Sequence, residues 1–231
     1  MSDYCVGEKV IYEYNSLKKA VMRKREIMNN FEIREDDNGI GKVLILKGAW
    51  SDDIATYMQE NEIFALRLTD SFGFKGHDIS FIPSLTFLRS FELYCWEAKG
   101  VKVLESLTQL EVLGLQYKSA QKVDFSAFKK LKVALITWSK GLSSLLQLSS
   151  IEKLNIQNYP HKNIEPISSM GSLKQLYLTS RKLESLKGIE HLGSLELLDL
   201  YNCPYLASLA GTELCPRLET IEIEACNSVS A

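Results

Sequence analysis

The residues of this 231-residue chain that could carry catalysis or hold a metal are three histidines, five cysteines and a few acidic pairs. His77, His161 and His191 stand far apart, none with a partner at metal-ligand spacing, and they read as surface histidines. Gly41-Lys42 resembles the end of a phosphate-binding loop, which requires Gly-x-x-x-x-Gly-Lys-Ser/Thr. Val43 follows instead of a hydroxyl, and Asp36 occupies the first glycine position, so Gly39-Ile40-Gly41 reads as a turn. Asp52-Asp53 reads as a pair of capping charges at the start of a short helix. The run Lys18-Lys19 to Arg23-Lys24-Arg25 has the composition of a phosphate- or acid-binding patch. The whole chain is not basic, with 27 Lys+Arg against 29 Asp+Glu, so a solvated helix face is the better reading and no nucleic-acid partner is expected. No Ser/His/Asp or Cys/His constellation occurs. The chain therefore reads as having no catalytic residue, no metal site and no cofactor.

The elements that position these residues follow a repeat. An aliphatic residue, two others, an aliphatic, one other and an aliphatic recur from Gly41, Ile63, Leu88, Leu110, Leu131, Ile151, Leu173, Leu195 and Leu218, at steps of 22, 25, 22, 21, 20, 22, 22 and 23. A period of this size marks a solenoid, in which each unit buries its apolar side only against its neighbours. In the unit from Leu173, Gln175-Leu176-Tyr177-Leu178-Thr179 alternates polar and apolar, as a half-buried strand does. Leu183, Leu186, Ile189 and Leu192 then recur every three residues, the period of a 3₁₀ return segment.

This pattern resembles the leucine-rich repeat, L-x-x-L-x-L-x-x-N/C-x-L, with Cys203 and Cys226 at the N/C position. The short return frame looks like that of internalins and of the leucine-rich regulatory subunit of protein phosphatase 1. The resemblance covers residues 41–231 and implies an α/β solenoid. Such a horseshoe carries a parallel β-sheet on its concave face and short 3₁₀ or irregular segments on its convex face. About nine strands are expected, centred near residues 45, 67, 92, 114, 135, 155, 177, 199 and 222. The asparagine ladder of the pattern is missing: Ser71, Trp96, Lys118, Ser139, Tyr159 and Arg181 stand at that position, and Ala49 in the first unit. The turns must satisfy their backbone groups otherwise. Trp96 and Tyr159 are expected to pack over them. Cys203 and Cys226, in adjacent units, are expected to be buried, reduced thiols. A disulfide or half a metal site is the alternative.

Residues 1–40 read as an N-terminal cap. Lys9 to Tyr14 reads as a strand, and Leu17, Ala20, Val21, Ile27, Met28 and Phe31 fit one face of a helix, with a second β-segment as the alternative for part of that stretch. At the other end no capping helix follows Ile223. A partner, a longer natural chain or the tail Asn227–Ala231 must then cover the last strand, whose open edge could also support self-association. The start has no signal-peptide pattern and no apolar run approaches the ~20 residues of a membrane span, so a cytoplasmic protein without membrane contact is expected.

A solenoid offers an extended curved surface rather than a closed pocket. Its concave face and the rim at the strand ends should carry Arg67, Glu92, Tyr94, Tyr117, Val133, Leu135, Trp138, Tyr177, Leu197, Asp199 and Tyr201. Exposed aromatics with few charges have the composition of interface hot spots. The expected function is therefore non-enzymatic binding of a partner protein through this face. Alternatives are a dedicated inhibitor or toxin-neutralising immunity protein, an enzyme with its site in the cap or at Cys203/Cys226, and a glycan binder.

Overall fold

A computed structural model describes residue 22 and residues 27–226, apart from 75, 119 and 120. The expected cap strand at 9–14, the basic run at 18–25 and the tail 227–231 lie outside the described residues, save Met22. Ten strands form one sheet in chain order. They are β1 (Phe31–Glu35), β2 (Lys42–Leu46), β3 (Ala65–Thr69), β4 (Ser90–Tyr94), β5 (Val112–Gln116), β6 (Val133–Thr137), β7 (Lys153–Gln157), β8 (Gln175–Thr179), β9 (Leu197–Tyr201) and β10 (Thr220–Glu224). Strands β2 to β10 are parallel, at the expected centres apart from a one-residue shift of β2. β1 pairs antiparallel with β2, Phe31 opposite Leu46. Phe31, assigned above to a helix face, therefore begins a strand.

Strands β2 to β9 bury their alternate aliphatics, whereas Ile221 and Ile223 of the last strand, β10, are 40% and 41% exposed. Leu176, Leu178, Leu198 and Leu200 are buried, as are Leu183, Leu186, Ile189 and Leu192 of the return segment. The returns are short 3₁₀ pieces such as Val101–Ser106 and Ile189–His191. In the first unit the return is the α-helix Asp52–Glu60, which buries Ile54 and Met58 and carries Asp52 and Asp53 in its first turn. One continuous core therefore runs from Phe31 to Cys226, as stacked repeats require.

The turns after the strands show how a missing asparagine ladder is replaced. In the units starting at Leu88, Leu110 and Leu173, the seventh following residue points inward: Cys95, Tyr117 and Ser180 are buried. In those starting at Ile151, Leu195 and Leu218, the eighth does: Tyr159, Cys203 and Cys226. The difference is one left-handed residue. Asn158, Asn202 and Ala225 have φ of 58°, 53° and 56° and insert one extra outward step before the inward one. Asparagine adopts that conformation more readily than most residues. The inward side chains then satisfy the turn. Ser180 Oγ donates to Tyr159 O at 2.8 Å and accepts from the backbone N–H groups of Lys182 and Leu183 at 3.0 Å each. The Tyr117 hydroxyl donates to Gln121 O and that of Tyr159 to Asn163 O. Cys226 Sγ accepts from the Cys203 N–H at 3.3 Å and donates to Leu200 O at 3.5 Å.

Two expectations fail here. Tyr117 is only 4% exposed and is part of the core, because its turn lacks the left-handed step. Trp96 is 49% exposed, because Cys95 takes the inward slot beside it. Tyr159 packs as expected, and the Cys203 and Cys226 thiols are free and buried. Burial pushes the Cys203 thiol up to about 12, with the neighbouring Cys226 adding to the shift.

Candidate functional site

The concave face divides into two parts. Toward the N-terminus it is closed by the protein itself. Val43, Ile45 and Ala65 are buried beneath Ile40 and Phe72. The Arg34 guanidinium lies 4.6 Å above the Phe72 ring, a cation–π contact that holds the cover in place. The β1–β2 turn is shaped by Asp36, whose Oδ2 accepts from the backbone N–H groups of Asn38 and Ile40 at 3.1 and 3.2 Å. Gly39 and Gly41 supply φ of 83° and 96° there, values that suit glycine. The tip of this turn reaches across the curve of the sheet to β7: Lys153 Nζ donates to Asn38 Oδ1 at 3.4 Å, joining residues 115 apart in sequence.

Next to the covered zone is a buried ion pair. Arg67 and Glu92 face each other in register on β3 and β4. The guanidinium donates from Nε at 3.0 Å and from Nη2 at 2.7 Å to the two carboxylate oxygens. The Tyr94 hydroxyl donates to Glu92 Oε2 at 2.6 Å. Its ring lies over Gly114 of β5, where a Cβ would come within 2.6 Å of the hydroxyl oxygen. A glycine inside a strand often marks such a close approach. Burial, and then the charge of Glu92, hold the Tyr94 phenol well above its ordinary pKa. Glu92 is 1% exposed. Glu92 and Tyr94 were expected on an open surface, but they form an internal brace instead. The sequence signal was present: Arg67 and Glu92 hold the same place in neighbouring repeats, as do Glu92 and Gly114.

From β6 onward the face is more open among the described residues, apart from the contact of the β1–β2 turn with Lys153. Val133, Leu135, Tyr177, Leu197 and Asp199 are half-buried, and Tyr201 is 47% exposed. Between the two parts lies a groove of ≈ 200 Å³ lined by Tyr94, Gln116, Leu135, Ile136, Thr137, Asn155 and Gln157. Trp138, at the exit of β6, is half-buried against the core and meets the His161 ring edge-on at 6.0 Å. His161 also abuts Tyr159, at 5.3 Å. It is therefore a partly buried turn residue rather than a surface histidine. Burial and nearby Lys182 pull its pKa down. His77 and His191 are exposed as expected. Among the described residues no group of three or more His, Cys, Asp and Glu is placed to hold a metal ion, and no helix is long and apolar enough to cross a membrane.

Nine parallel strands in repeat register, returning through 3₁₀ segments over one core, decide the architecture. The fold is a leucine-rich-repeat solenoid. Solved structures share it. An internalin C2 of Listeria monocytogenes superposes with a TM-score of 0.58 at 18% identity, over 78% of this chain and 80% of that one. An internalin (inlF) of the same organism superposes with a TM-score of 0.55 at 21% identity, over 73% of this chain. This chain spans about half of that protein, 53% of its length. No protein-family model and no curated protein sequence matches the chain.

Proposed function

We propose that this solenoid binds a partner protein through the C-terminal part of its concave face, from β6 to β10, and is not an enzyme. One observation carries the reading. Val133, Leu135, Tyr177, Leu197 and Tyr201 stay at least partly accessible on one face, which the tip of the β1–β2 turn touches at Lys153. Apolar and aromatic side chains grouped on the outside of a protein mark interaction sites more often than chance exposure. The N-terminal part of the face, spent on its own turn and on the Arg67–Glu92 brace, does not compete for that role.

The test is capture of a partner from the native host on immobilised protein, comparing variants. Leu135→Glu and Leu197→Glu should abolish capture. Trp138→Ala should weaken it by about 2 kcal/mol, as truncation of a hot-spot ring does. Lys102→Ala, on the convex side, should leave it unchanged. Loss of capture on Lys102→Ala with full capture on Leu197→Glu would move the site to the convex face. A single enzyme captured in one-to-one amount and inhibited would sharpen the reading to a dedicated inhibitor or immunity protein. Self-association through the edge of β10, which is unpaired among the described residues, is a separate proposal, checked by sedimentation velocity across a range of concentrations.

A further inference from the structure

Charge pairing along the sheet breaks at one place. From the unit at Leu88 onward, the first residue after the repeat start forms a ladder that reads Arg89, Glu111, Lys132, Glu152, Lys174, Glu196, Glu219. Its signs alternate until the last step, where glutamate follows glutamate. Within it Arg89 bonds Glu111 at 2.7 Å, and Glu152 meets Lys132 at 3.2 Å and Lys174 at 2.8 Å. On the concave face itself, Glu92 has Arg67. Asp199, Glu222 and Glu224 have no ion pair among the described residues, and Arg217, just ahead of β10, pairs with none of them.

Register places these carboxylates among rings. Tyr177 stands opposite Asp199, which stands opposite Glu222; Thr179, Tyr201 and Glu224 form the row above. Neighbouring strands lie ~4.8 Å apart and same-face residues ~6.7 Å apart, so two phenol rings and three carboxylates share a patch of about 10 by 7 Å. The molecule already contains a model of how such a patch holds a cation. Lys153 Nζ lies 5.6 Å from the centroid of the Tyr177 ring, on the edge of the same surface. Tyr201 has a comparable ring and the negative neighbours Asp199 and Glu224, with no cation over it among the described residues.

We propose that the concave face of β8–β10 docks a lysine- or arginine-rich segment of the partner protein. This inference rests on the concave-face reading above. A partner ammonium or guanidinium sits over the Tyr201 ring between Asp199, Glu222 and Glu224, and its methylene stem covers Leu197. A second copy of this chain docked face to face meets the patch with the same carboxylates and is repelled. A neutral apolar partner leaves those three carboxylates desolvated without compensation.

The test uses a ten-residue lysine peptide as probe, titrated calorimetrically at low and at near-physiological salt, with carbodiimide cross-linking and mass spectrometry to locate it. The triple variant Asp199→Asn/Glu222→Gln/Glu224→Gln should weaken binding about tenfold or more, and Tyr201→Leu about threefold. The control triple Glu60→Gln/Glu62→Gln/Glu97→Gln removes the same charge elsewhere and should change affinity by about twofold or less. Cross-links should fall on Asp199, Glu222 or Glu224. Equal losses in both triples, cross-links on other carboxylates, or no binding at low salt would each overturn the proposal. If the peptide fails while Leu135→Glu still abolishes partner capture, only the basic-segment inference falls; if capture survives Leu135→Glu and Leu197→Glu, the concave-face reading falls first.

Discussion

The two ends of one concave face, built on one repeat, have been put to opposite uses. From β2 to β5 the outward positions are consumed internally. Ile40 and Phe72 cover the first two strands, Arg67 and Glu92 neutralise each other, and Tyr94 folds down onto Gly114. From β6 to β10 the same positions keep accessible rings and aliphatics, and carboxylates without an ion pair among the described residues. The strand geometry beneath does not differ. A solenoid's core therefore leaves its face free to diverge from unit to unit, because inward and outward side chains alternate along a strand.

The largest effect should be blind to that division. Leu115→Ala in β5 and Leu198→Ala in β9 are equally buried core truncations, and each should cost roughly 2–5 kcal/mol in denaturant unfolding. A cost confined to one half would show that the two ends fold as separate units rather than on one core.

The next effect should separate the halves. Arg67→Met leaves the Glu92 carboxylate buried without its cation and should cost about 3 kcal/mol. Asp199→Asn, on the open half, should change stability by less than about 0.5 kcal/mol. A silent Arg67→Met would mean that Glu92 is solvated and the N-terminal part of the face is not closed.

Much of this architecture was legible in the sequence, and the failures have local causes. Strand positions followed from the spacing of aliphatics, which is fixed by the two-residue period of the strand and the stacking of each unit on the last. β1 reads only as the alternative to a helix because Phe31 extends the helical spacing of Ile27 and Met28, although Phe31-Glu32-Ile33-Arg34-Glu35 alternates as a strand should. Tyr117 was misplaced because a fixed offset ignores whether the turn contains a left-handed residue, and backbone φ is written only weakly in sequence. Asn158 and Asn202 carried that signal, but Ala225 did not. The contact of Asn38 with Lys153 depends on the accumulated curvature of five strand-to-strand steps, which no local pattern encodes.

The turn thiols offer a smaller test that again spans both halves. Burial pushes Cys95 up to about 12, with Asp70 adding to the shift, and Cys203 likewise to about 12. A folded-state pKa above the unfolded value near ~8.5 contributes stability that is full below that pH and is lost as pH rises toward 12. Stability should therefore decline above about pH 8.5, less steeply in Cys203→Ala, and neither thiol should react with iodoacetamide in the folded protein at pH 8. Rapid alkylation of one thiol alone would mark its turn as open.

The smallest effect concerns the contact between the ends. Asn38→Ala removes a single long hydrogen bond and should cost less than about 0.5 kcal/mol, while Lys153 acylation by an N-hydroxysuccinimide ester becomes faster. Unchanged Lys153 reactivity would show that the β1–β2 turn does not shield β7.

The division between a closed and an open half is tested most directly by nitrating the folded protein with tetranitromethane and mapping modified tyrosines by mass spectrometry against time. Tyr201 should react early and Tyr177 after it, while Tyr94, Tyr117 and Tyr159, each buried or hydrogen-bonded and each with its pKa raised by burial, remain unmodified. Nitration of Tyr94 as fast as that of Tyr201 would contradict the account, because the N-terminal part of the concave face would then be as open as the rest.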